Sequence, residues 1–388
     1  MLHSLTRATS GLPELDVALG GLYWGDNVVW QAEEVAALEP FYSAVATAAR
    51  EGHYDFAAYV TLTRSPDELA ALHPGLDVID ARPGTELAQP RALVDAVRRA
   101  SSESGRDLLL FDPLEEMSAR WGAETAERFF TLSCPLLLEL GAVAYWSLSP
   151  SAHSQAMRRE IEGVTQCVVA LADGRLRVVK AEGRAPGVEG GVFRYRAEAG
   201  LPVLEAAPTA ARLGAALRAV RTSRGLSQTA LARLAGVSPS AISQAERGRR
   251  GLSLDTLLDL SARLNVTLDE LLRGDVAPGY RLARRDGPPG RTEGTPIPLL
   301  DDPGAGLRAY VLRLGPGQSA TPGLAHKGVE LVAVASGLVQ VLLTTGQPVL
   351  RNGEALIAES SGVAGWRNLG DREALVFWVL RDEARRDG

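Results

Sequence analysis

Short apolar runs alternate with helix-like stretches along the first half of the chain. Uninterrupted apolar runs between helices are typical of parallel strands that helices cover on both faces. Further on, Asp173-Gly174 lies between two β-branched segments, which is a strong hairpin signal. We therefore predict an α/β fold over residues 1–205, with a mainly parallel sheet and an antiparallel edge. The runs that predict parallel strands are NVVW (27–30), DFAAYVTL (55–62), LDVID (76–80), DLLLFD (107–112) and GAVAYWSLS (141–149).

The hydrophobic pattern changes twice further along the chain. After an Ala/Pro stretch at 206–211 it becomes helical and stays so until Gly274. Five glycines and four prolines then disfavour regular structure, and the last part has short β-rich runs between glycine-containing turns. We therefore expect a multidomain protein. Its parts would be an α/β domain at 1–205, an all-α module at 209–273, a linker at 274–296 and an all-β barrel or sandwich at 297–384.

The charge of the chain is unevenly distributed. The formal net charge is −6 over 388 residues, which excludes a chain that coats nucleic acid through its overall charge. Residues 207–275 nevertheless hold ten arginines against six acidic residues, a net +4, which leaves −10 for the remainder. Positive charge concentrated on the helical module favours double-stranded DNA as its partner.

Cysteine and lysine are both scarce. Cys134 and Cys167 are the only cysteines, too few for a disulfide framework or a cysteine zinc cluster. The first residues have no apolar signal core, and no run is long enough to span a membrane, so we expect a cytoplasmic protein. Lys180 and Lys327 are the only lysines, so arginine must supply most of the contacts to phosphate.

The segment 227–250 predicts two short helices joined by a tight turn. Gly236 can adopt the left-handed conformation that such a turn requires. Ser238 can cap the second helix and Pro239 suits its first position, so this helix should run from Pro239 to about Arg247. The residues expected to share a core are Leu231, Leu234, Val237 and Ile242, with the small Ala232 at the crossing.

The stretch RTSRGLSQTALARLAGVSPSAISQAERGRR, continued by LSLDTLLDLSARLNVTLDELL, resembles the Xre/lambda-repressor family of five-helix helix-turn-helix domains. The resemblance implies that the second helix of the motif enters the major groove of DNA. In the alternative interpretation Ser238 only caps a helix, the other serines are solvated, and the arginines form a surface face. The residues that the resemblance assigns to DNA are Ser240, Ser243 and Gln244 at base edges, Ser238 at the helix start, Gln228 at a phosphate, and Arg247, Arg249 and Arg250 at the backbone.

The stretch TSGLPELDVALGGLYWGDNVV (9–29) resembles the opening of RecA-superfamily ATPases of the KaiC/RadA type. In that family a glycine-rich loop ending in Gly-Lys-Ser/Thr follows the first strand and cradles phosphates. Here the strand leads into QAEEVAALEP, which has no glycine and no lysine. Glu33 and Glu34 would repel a triphosphate. The resemblance therefore implies a degenerate RecA/KaiC-like fold without its phosphate site.

Three further positions bear on this resemblance. Thr63 and Arg64 stand where the family has paired glutamates that activate water, and Glu182 reverses one charge of the Lys-x-Arg motif that begins at Lys180. Asp112 matches the acidic residue that helps to hold magnesium in active relatives. We expect a pseudo-ATPase with no catalytic residues. Nucleotide or small-ligand binding without hydrolysis is the alternative.

The segments 315–337 and 352–368 resemble the two cupin motifs. Active cupins hold a metal with three histidines and a glutamate, of which His326 and Glu330 are kept while Leu324 and Ala364 replace the others. We therefore expect a cupin-like barrel with no metal and no cofactor. In it, His326 and Glu330 would form a hydrogen-bonded pair, Trp366 would be a core residue, and a small apolar ligand pocket is an alternative.

Together these patterns predict a sequence-specific DNA-binding transcriptional regulator that is not an enzyme. The flanking domains would supply oligomerisation, at least to a dimer, and sensing of a small-molecule effector. Two rival interpretations stay open at this point. One is a RecA-type nucleotide-binding protein, and the other is an adaptor whose helical module binds protein instead of DNA.

Overall fold

The computed structural model describes residues 7–102, 104–184, 187–198, 201–206, 209–268, 282–284, 294–302, 305–324, 328–359 and 362–382. The chain divides into two compact units. The first consists of Met1–Leu282 with Asp286–Pro289, and the second of Ala283–Arg285 with Gly290–Gly388. The linker predicted at 274–296 lies almost entirely outside the described residues, so the predicted division into four parts stays a prediction.

A nine-stranded mixed sheet forms the centre of the first unit, in the order β3-β2-β4-β5-β1-β6-β7-β8-β9. The first six strands in this order are parallel, and β7, β8 and β9 extend the sheet antiparallel from β6. The predicted hairpin is present, with Asp173 and Gly174 both at positive φ between β6 and β7. The strands are β1 (Asn27–Ala32), β2 (Phe56–Thr61), β3 (Asp77–Asp80), β4 (Asp107–Phe111), β5 (Val143–Leu148), β6 (Cys167–Ala172), β7 (Arg175–Ala181), β8 (Val192–Glu198) and β9 (Leu201–Ala206).

Helices cover both faces of this sheet. Because side chains alternate along a strand, Val28 and Trp30 pack into the core on one face while Val29 packs into the core on the other. One face is covered by α1 to α3 and the other by α4 to α7. A short 3-10 helix, Val35–Leu38, follows β1. The helices are α1 (Pro13–Ala18), α2 (Glu39–Arg50), α3 (Pro66–Leu72), α4 (Pro90–Ala100), α5 (Leu114–Trp121), α6 (Ala123–Leu140) and α7 (Gln155–Val164).

Four further helices follow the sheet in the described part of the chain. They pack around their own core, to which Leu217, Leu231, Ile242 and Leu260 each contribute a side chain that is fully buried. The fifth helix of the predicted module falls outside the described residues. The four helices are α8 (Thr209–Ser223), α9 (Gln228–Ala235), α10 (Pro239–Glu246) and α11 (Leu254–Leu264).

The second unit contains two antiparallel sheets that share one core. The five-stranded sheet has the order β10-β11-β18-β13-β16 and the four-stranded sheet the order β12-β17-β14-β15. Trp366 and Trp378, one from each sheet, are buried together with ring centroids 5.1 Å apart. The strands are β10 (Ile297–Asp302), β11 (Leu307–Leu314), β12 (Ser319–Ala320), β13 (Gly328–Ser336), β14 (Leu338–Leu343), β15 (Val349–Arg351), β16 (Ala355–Ala358), β17 (Val363–Asn368) and β18 (Ala374–Asp382).

Among the described residues, no helix has both the length and the apolar character needed to cross a membrane.

Candidate nucleic-acid interface

Serine caps fix the starts of the helices in the helical module. Ser227 accepts a hydrogen bond from Ala230 N at 3.0 Å at the start of α9, and Ser238 accepts one from Ala241 N at 3.1 Å at the start of α10. Gly236 ends α9 in the left-handed conformation, with φ of 64°. The turn between α9 and α10 is therefore only three residues long, and the predicted helix from Pro239 ends at Glu246.

The buried faces of α9 and α10 hold the two helices at a fixed angle. Leu231, Ala232 and Ile242 are at most 1% exposed, whereas Leu234 and Val237 pack against the same core from its edge. The predicted core of the motif is thereby confirmed. Burial of one face of α10 leaves its opposite face available for a partner.

The predicted base-contacting residues lie together on that opposite face of α10. Ser240, Ser243, Gln244 and Arg247 are spaced three and four residues apart, so they follow one side of the helix. Ser240 is exposed, and the Gln244 amide lies 3.4 Å from the Ser240 hydroxyl. Short hydroxyl and amide side chains in this arrangement can donate to and accept from base edges.

The predicted backbone-contacting arginines surround the end of α10. Arg247, Arg249 and Arg250 are all exposed, and Arg247 Nε donates to the carbonyl oxygen of Ser243 at 3.0 Å. Ser238 is exposed as well as being the helix cap. The structure thus places Ser238 at the start of α10 and the three arginines at its end, and their contact with DNA stays a prediction.

Gln228 takes part in a buried polar network that the sequence patterns did not reveal. Its amide donates to Glu246 Oε2 at 2.7 Å, and Arg221 Nε donates to Glu246 Oε1 at 2.5 Å. Arg221 also donates to the carbonyl oxygen of Leu226 at 2.8 Å. The side chain of Glu246 is only 2% exposed. This network joins the end of α8, the start of α9 and the end of α10, so it positions the helix that carries the candidate contacts.

A close approach between α8 and α10 also depends on one residue. A Cβ atom added to Gly214 would lie 2.2 Å from the carbonyl oxygen of Ala245. Glycine at this position therefore lets the backbones of the two helices come together, which sets the depth at which α10 sits on α8.

Asp112 lies at the carboxyl ends of the parallel strands in the first unit, beside the loop after β2. Its Oδ2 accepts hydrogen bonds from Leu62 N at 2.6 Å and from both the amide and the hydroxyl of Thr63 at 3.0 Å. Its side chain is buried. Thr63, which stands where a catalytic glutamate would be expected, thus uses its polar groups to hold Asp112.

Serines that follow β5 hold the carboxylate of Glu33 in the segment after β1. Ser149 Oγ donates to Glu33 Oε2 at 2.9 Å, and hydrogen bonds from Ser151 and then Ser149 lower the pKa of Glu33. Tyr42 of α2 is buried nearby, and burial together with the carboxylates of Asp112 and Glu39 raises the pKa of its phenol well above the ordinary range. This edge of the sheet therefore presents a carboxylate and a neutral phenol.

Lys180 and Glu182 lie at the antiparallel side of the same sheet. Lys180 Nζ donates to the carbonyl oxygen of Glu162 at 2.8 Å, which ties β7 to the end of α7. The ammonium group of Lys180 is therefore already bound to a carbonyl oxygen of the same chain. Lys180 lies in β7 and so does not belong to the segment that follows β1.

Glu330 is buried inside the second unit. Its Oε2 accepts hydrogen bonds from Trp378 Nε1 at 2.8 Å and from Val363 N at 3.3 Å. Its predicted partner His326 lies outside the described residues, so the pairing of the two stays a prediction. Trp366 is fully buried, which confirms its predicted place in the core. Among the described residues, no group of three or more His, Cys, Asp or Glu side chains is arranged to hold a metal ion.

Solved structures of other proteins each resemble a part of the chain. An HTH_3 family transcriptional regulator from Vibrio cholerae is 21% identical, with 45% of this chain and 98% of that chain covered and a TM-score of 0.20. A KaiC-like protein from Pyrococcus horikoshii OT3 is 14% identical, with 51% and 98% covered and a TM-score of 0.41. The Cupin_2 domain of an XRE family transcriptional regulator from Enterobacter cloacae is 19% identical, with 23% and 96% covered and a TM-score of 0.21.

A search of curated proteins finds no match to the chain. A scan against protein-family models matches residues 217–271 to HTH_3, a helix-turn-helix family. The matched residues contain α9, the three-residue turn and α10 with its serine cap. This part of the chain is therefore an HTH_3 (Xre-type) helix-turn-helix domain.

Proposed function

We propose that the chain is a sequence-specific DNA-binding transcriptional regulator and has no enzymatic activity. The observation that carries the proposal is the outward side of α10, where the exposed Ser240 and the half-buried Ser243 and Gln244 lie beside three exposed arginines. In this proposal α10 enters the major groove, and these three residues read base edges. Arg247, Arg249 and Arg250 bind phosphates at the groove edge, because guanidinium groups pair well with phosphate oxygens.

Gln228 and Ser238 have dual roles in this proposal. Both side chains already make an intramolecular hydrogen bond, Gln228 to Glu246 and Ser238 to Ala241 N. The Ser238 hydroxyl can still donate to a phosphate while it accepts from the backbone. The Gln228 amide has a second N–H for the same purpose. We assign both to phosphate contact at the entrance of the groove.

The flanking parts act as regulatory modules in this proposal. The α/β part is a RecA/KaiC-like pseudo-ATPase, supported by Glu33 in place of a phosphate-binding glycine loop and by Thr63 in place of a general base. The second unit is a cupin-like barrel without a metal, supported by the loss of two ligand positions to Leu324 and Ala364. Their roles would be oligomerisation and the sensing of a small-molecule effector.

Retardation of genomic DNA fragments in a gel tests the proposal. We expect the full chain to retard a subset of fragments with an affinity that falls steeply as salt rises, because phosphate contacts release counterions. Changing Arg247, Arg249 and Arg250 to Glu should abolish this retardation. A matched control changes three exposed arginines of the α/β part, Arg98, Arg99 and Arg128, and should bind like the parent. Failure of the parent to retard any fragment at low salt would refute DNA binding.

Base reading is tested separately from backbone binding. Gln244→Ala should lower the preference for selected fragments over random DNA by about 1–3 kcal/mol, the value of one good base contact. Binding to random DNA should change little, because no phosphate contact is removed. Equal loss on both kinds of DNA would instead place Gln244 at the backbone.

Nucleotide binding by the α/β part is the second candidate. It is favoured by Asp112, whose Oδ1 is buried and has no hydrogen-bond partner among the described residues. ATP turnover that disappears in Asp112→Asn would establish the enzyme. A parent protein that neither binds nor hydrolyses ATP would exclude it.

A further inference from the structure

The five-stranded sheet of the second unit has apolar residues in the middle of both of its faces. Its inner face contributes Leu312, Val332, Val376 and Leu380 to the core, and all four are fully buried. A sheet with one solvated face normally alternates apolar and polar residues. Here the alternate positions in the middle of the sheet, which point away from the core, are apolar as well.

Strand register aligns these outward residues into two complete rows across the sheet. Each row takes one residue from each of the five strands, and none of the ten is charged or polar. We call these ten residues the outer face. They are Ala355, Ala333, Phe377, Val311 and Ile297 in one row, and Ile357, Leu331, Val379, Ala309 and Leu300 in the other.

The exposure of these side chains is unusual for a sheet in water. Ile357 is 63% exposed, Phe377 38% and Leu331 36%, and none of the ten is buried. The four-stranded sheet of the same unit offers the contrast, because its outward row pairs Val349 with Gln340 and Gln340 with Arg367. Contiguous exposed apolar area mostly marks an interaction surface.

We propose that the outer face is the interface through which two copies of this chain pair. The five strands hold 4 to 9 residues each, so at about 3.3 Å per residue and about 4.8 Å between strands this side of the sheet covers about 570 Å² of flat area. A stable interface buries about 800 Å² of accessible surface on each partner, and the relief of the side chains together with the rim brings the outer face close to that size. Two such faces pack like the halves of a β-sandwich, and a two-fold axis makes one patch serve both partners.

The charges around the outer face suit self-association. Arg381 and Arg313 lie in the flanking rows, at opposite ends of the sheet. Pairing two copies therefore buries the apolar rows and leaves the charged groups at the rim, which is the usual arrangement of a protein interface. No charged side chain of the outer face would lose its water. A second copy also fits the proposed function, because paired helix-turn-helix domains bind paired half-sites, although the interface is tested below without DNA.

The mass of the full chain in solution tests this proposal. We expect the parent at micromolar concentration to have twice the mass of one chain by light scattering. Phe377→Glu and Ile357→Glu should each have the mass of one chain, because a carboxylate would have to lose its water in the interface. Val349→Glu is the matched control, since Val349 is 46% exposed on the other sheet, and it should remain a dimer. Thermal unfolding tells a folded monomer from a misfolded variant, and Ile357 lies on an edge strand where a charge is well tolerated.

Cross-linking tests whether a second copy of the chain contacts the outer face. The two native cysteines are buried, so a cysteine placed at Val379 near the centre of the outer face reacts selectively. Oxidation should join two chains through this residue and should not do so in Val349→Cys. A parent with the mass of one chain, or Glu variants that all stay dimeric, would overturn the proposal. If a monomeric parent still retards DNA, DNA binding stands and only the interface fails.

Discussion

A single buried carboxylate sets the geometry of the candidate DNA-reading helix. Glu246 ends α10 and receives hydrogen bonds from Arg221 of α8 and Gln228 of α9. A buried charge is tolerated only where partners compensate the water it has lost. The three residues therefore act as a unit, and each of them limits how far α10 can turn relative to its neighbours.

Removing the cation of this network should be costly. Arg221→Met leaves Glu246 buried without a charged partner, and we expect the local free energy of unfolding of the domain to fall by about 3–5 kcal/mol. Hydrogen exchange of the amides of α9 and α10 measures the change. Arg224→Met is the control, because Arg224 is exposed in the same stretch and should change little. The double variant Arg221→Met/Glu246→Leu should recover much of the loss. Equal protection in Arg221→Met and the parent would contradict a structural role for the pair.

His73 should make the stability of the α/β part depend on pH. Burial and the nearby Arg64 guanidinium lower the pKa of His73 to about 4, from 6.5 in an unfolded chain. Its ring stacks on Tyr59, and its Nε2 lies 3.1 Å from Glu39 Oε1, where burial raises the pKa of that carboxyl. The two pKa shifts favour the neutral imidazole of His73 and the protonated carboxyl of Glu39.

The sign of this dependence follows from proton binding. As the pH falls below about 6.5, the unfolded chain binds a proton at His73 that the folded chain does not, so stability decreases, by at most about 1.4 kcal/mol per pH unit. His73→Phe should remove this part of the slope between about pH 6.5 and pH 5, as measured by urea unfolding. Parallel slopes in the two proteins would show that the folded state protonates His73 as readily as the unfolded state. Glu39 contributes in the opposite direction as the pH falls, because its raised pKa makes the folded chain bind this proton before the unfolded chain does.

At the scale of elements, local patterns predicted much of what the structure contains. The run DLLLFD predicted a strand at 107–112, and β4 is Asp107–Phe111. The prediction succeeds because a short continuous apolar run is stable only where both of its faces are buried. The cap Ser238 and the turn residue Gly236 predicted the motif because their signals are local. The hairpin of β8 and β9 was not predicted from any single run.

Long-range contacts account for what the sequence did not reveal. The position of β1 between β5 and β6 depends on pairing over more than a hundred residues. The partners of Asp112 come from a loop 50 residues earlier. Glu246 was counted only as an acidic residue within a basic module, because nothing near it in sequence shows that Arg221 and Gln228 converge on it. The resemblance to a known family assigns the candidate contacts on α10, and these stay a prediction. The residues that position this helix come from three elements, so only the fold reveals them.

The crossing of α8 and α10 should be intolerant of a single methyl group. Gly214→Ala would place a Cβ atom 2.2 Å from the Ala245 carbonyl oxygen, so the helices must separate. Overpacking of this kind costs about 1–3 kcal/mol, and we expect DNA affinity to fall with it because α10 is displaced. Gly251→Ala is the matched control in the same domain, since its methyl group meets nothing within 4 Å. Hydrogen exchange measures the loss of stability in both variants, and gel retardation measures the loss of DNA affinity. Normal DNA binding by Gly214→Ala would contradict the fixed position of α10.

At the scale of the whole molecule, DNA binding by α10 and pairing through the outer face affect the affinity differently for DNA with one half-site and for DNA with two. A single domain presents one short recognition helix, which reads few base pairs, so tight binding requires two domains on two half-sites about one helical turn apart. In this view the outer face contributes to affinity by linking two reading helices, without contacting DNA itself. Joining two binding modules raises affinity by about 10²–10⁴-fold through effective concentration alone.

Phe377→Glu should therefore weaken binding to a full operator while leaving binding to one half-site unchanged. We expect a loss of about 10²-fold or more on DNA that contains both half-sites, because the variant must bind each half-site independently. Arg247→Glu should weaken binding to both kinds of DNA, because it removes a phosphate contact from each reading helix. Titration of labelled duplexes made from the genomic fragments that the parent retards measures the affinity of both variants for both kinds of DNA, with Val349→Glu as the control. If Phe377→Glu weakened half-site binding as much as full-site binding, the outer face would act on the helix-turn-helix domain itself, and pairing would have to come from another surface.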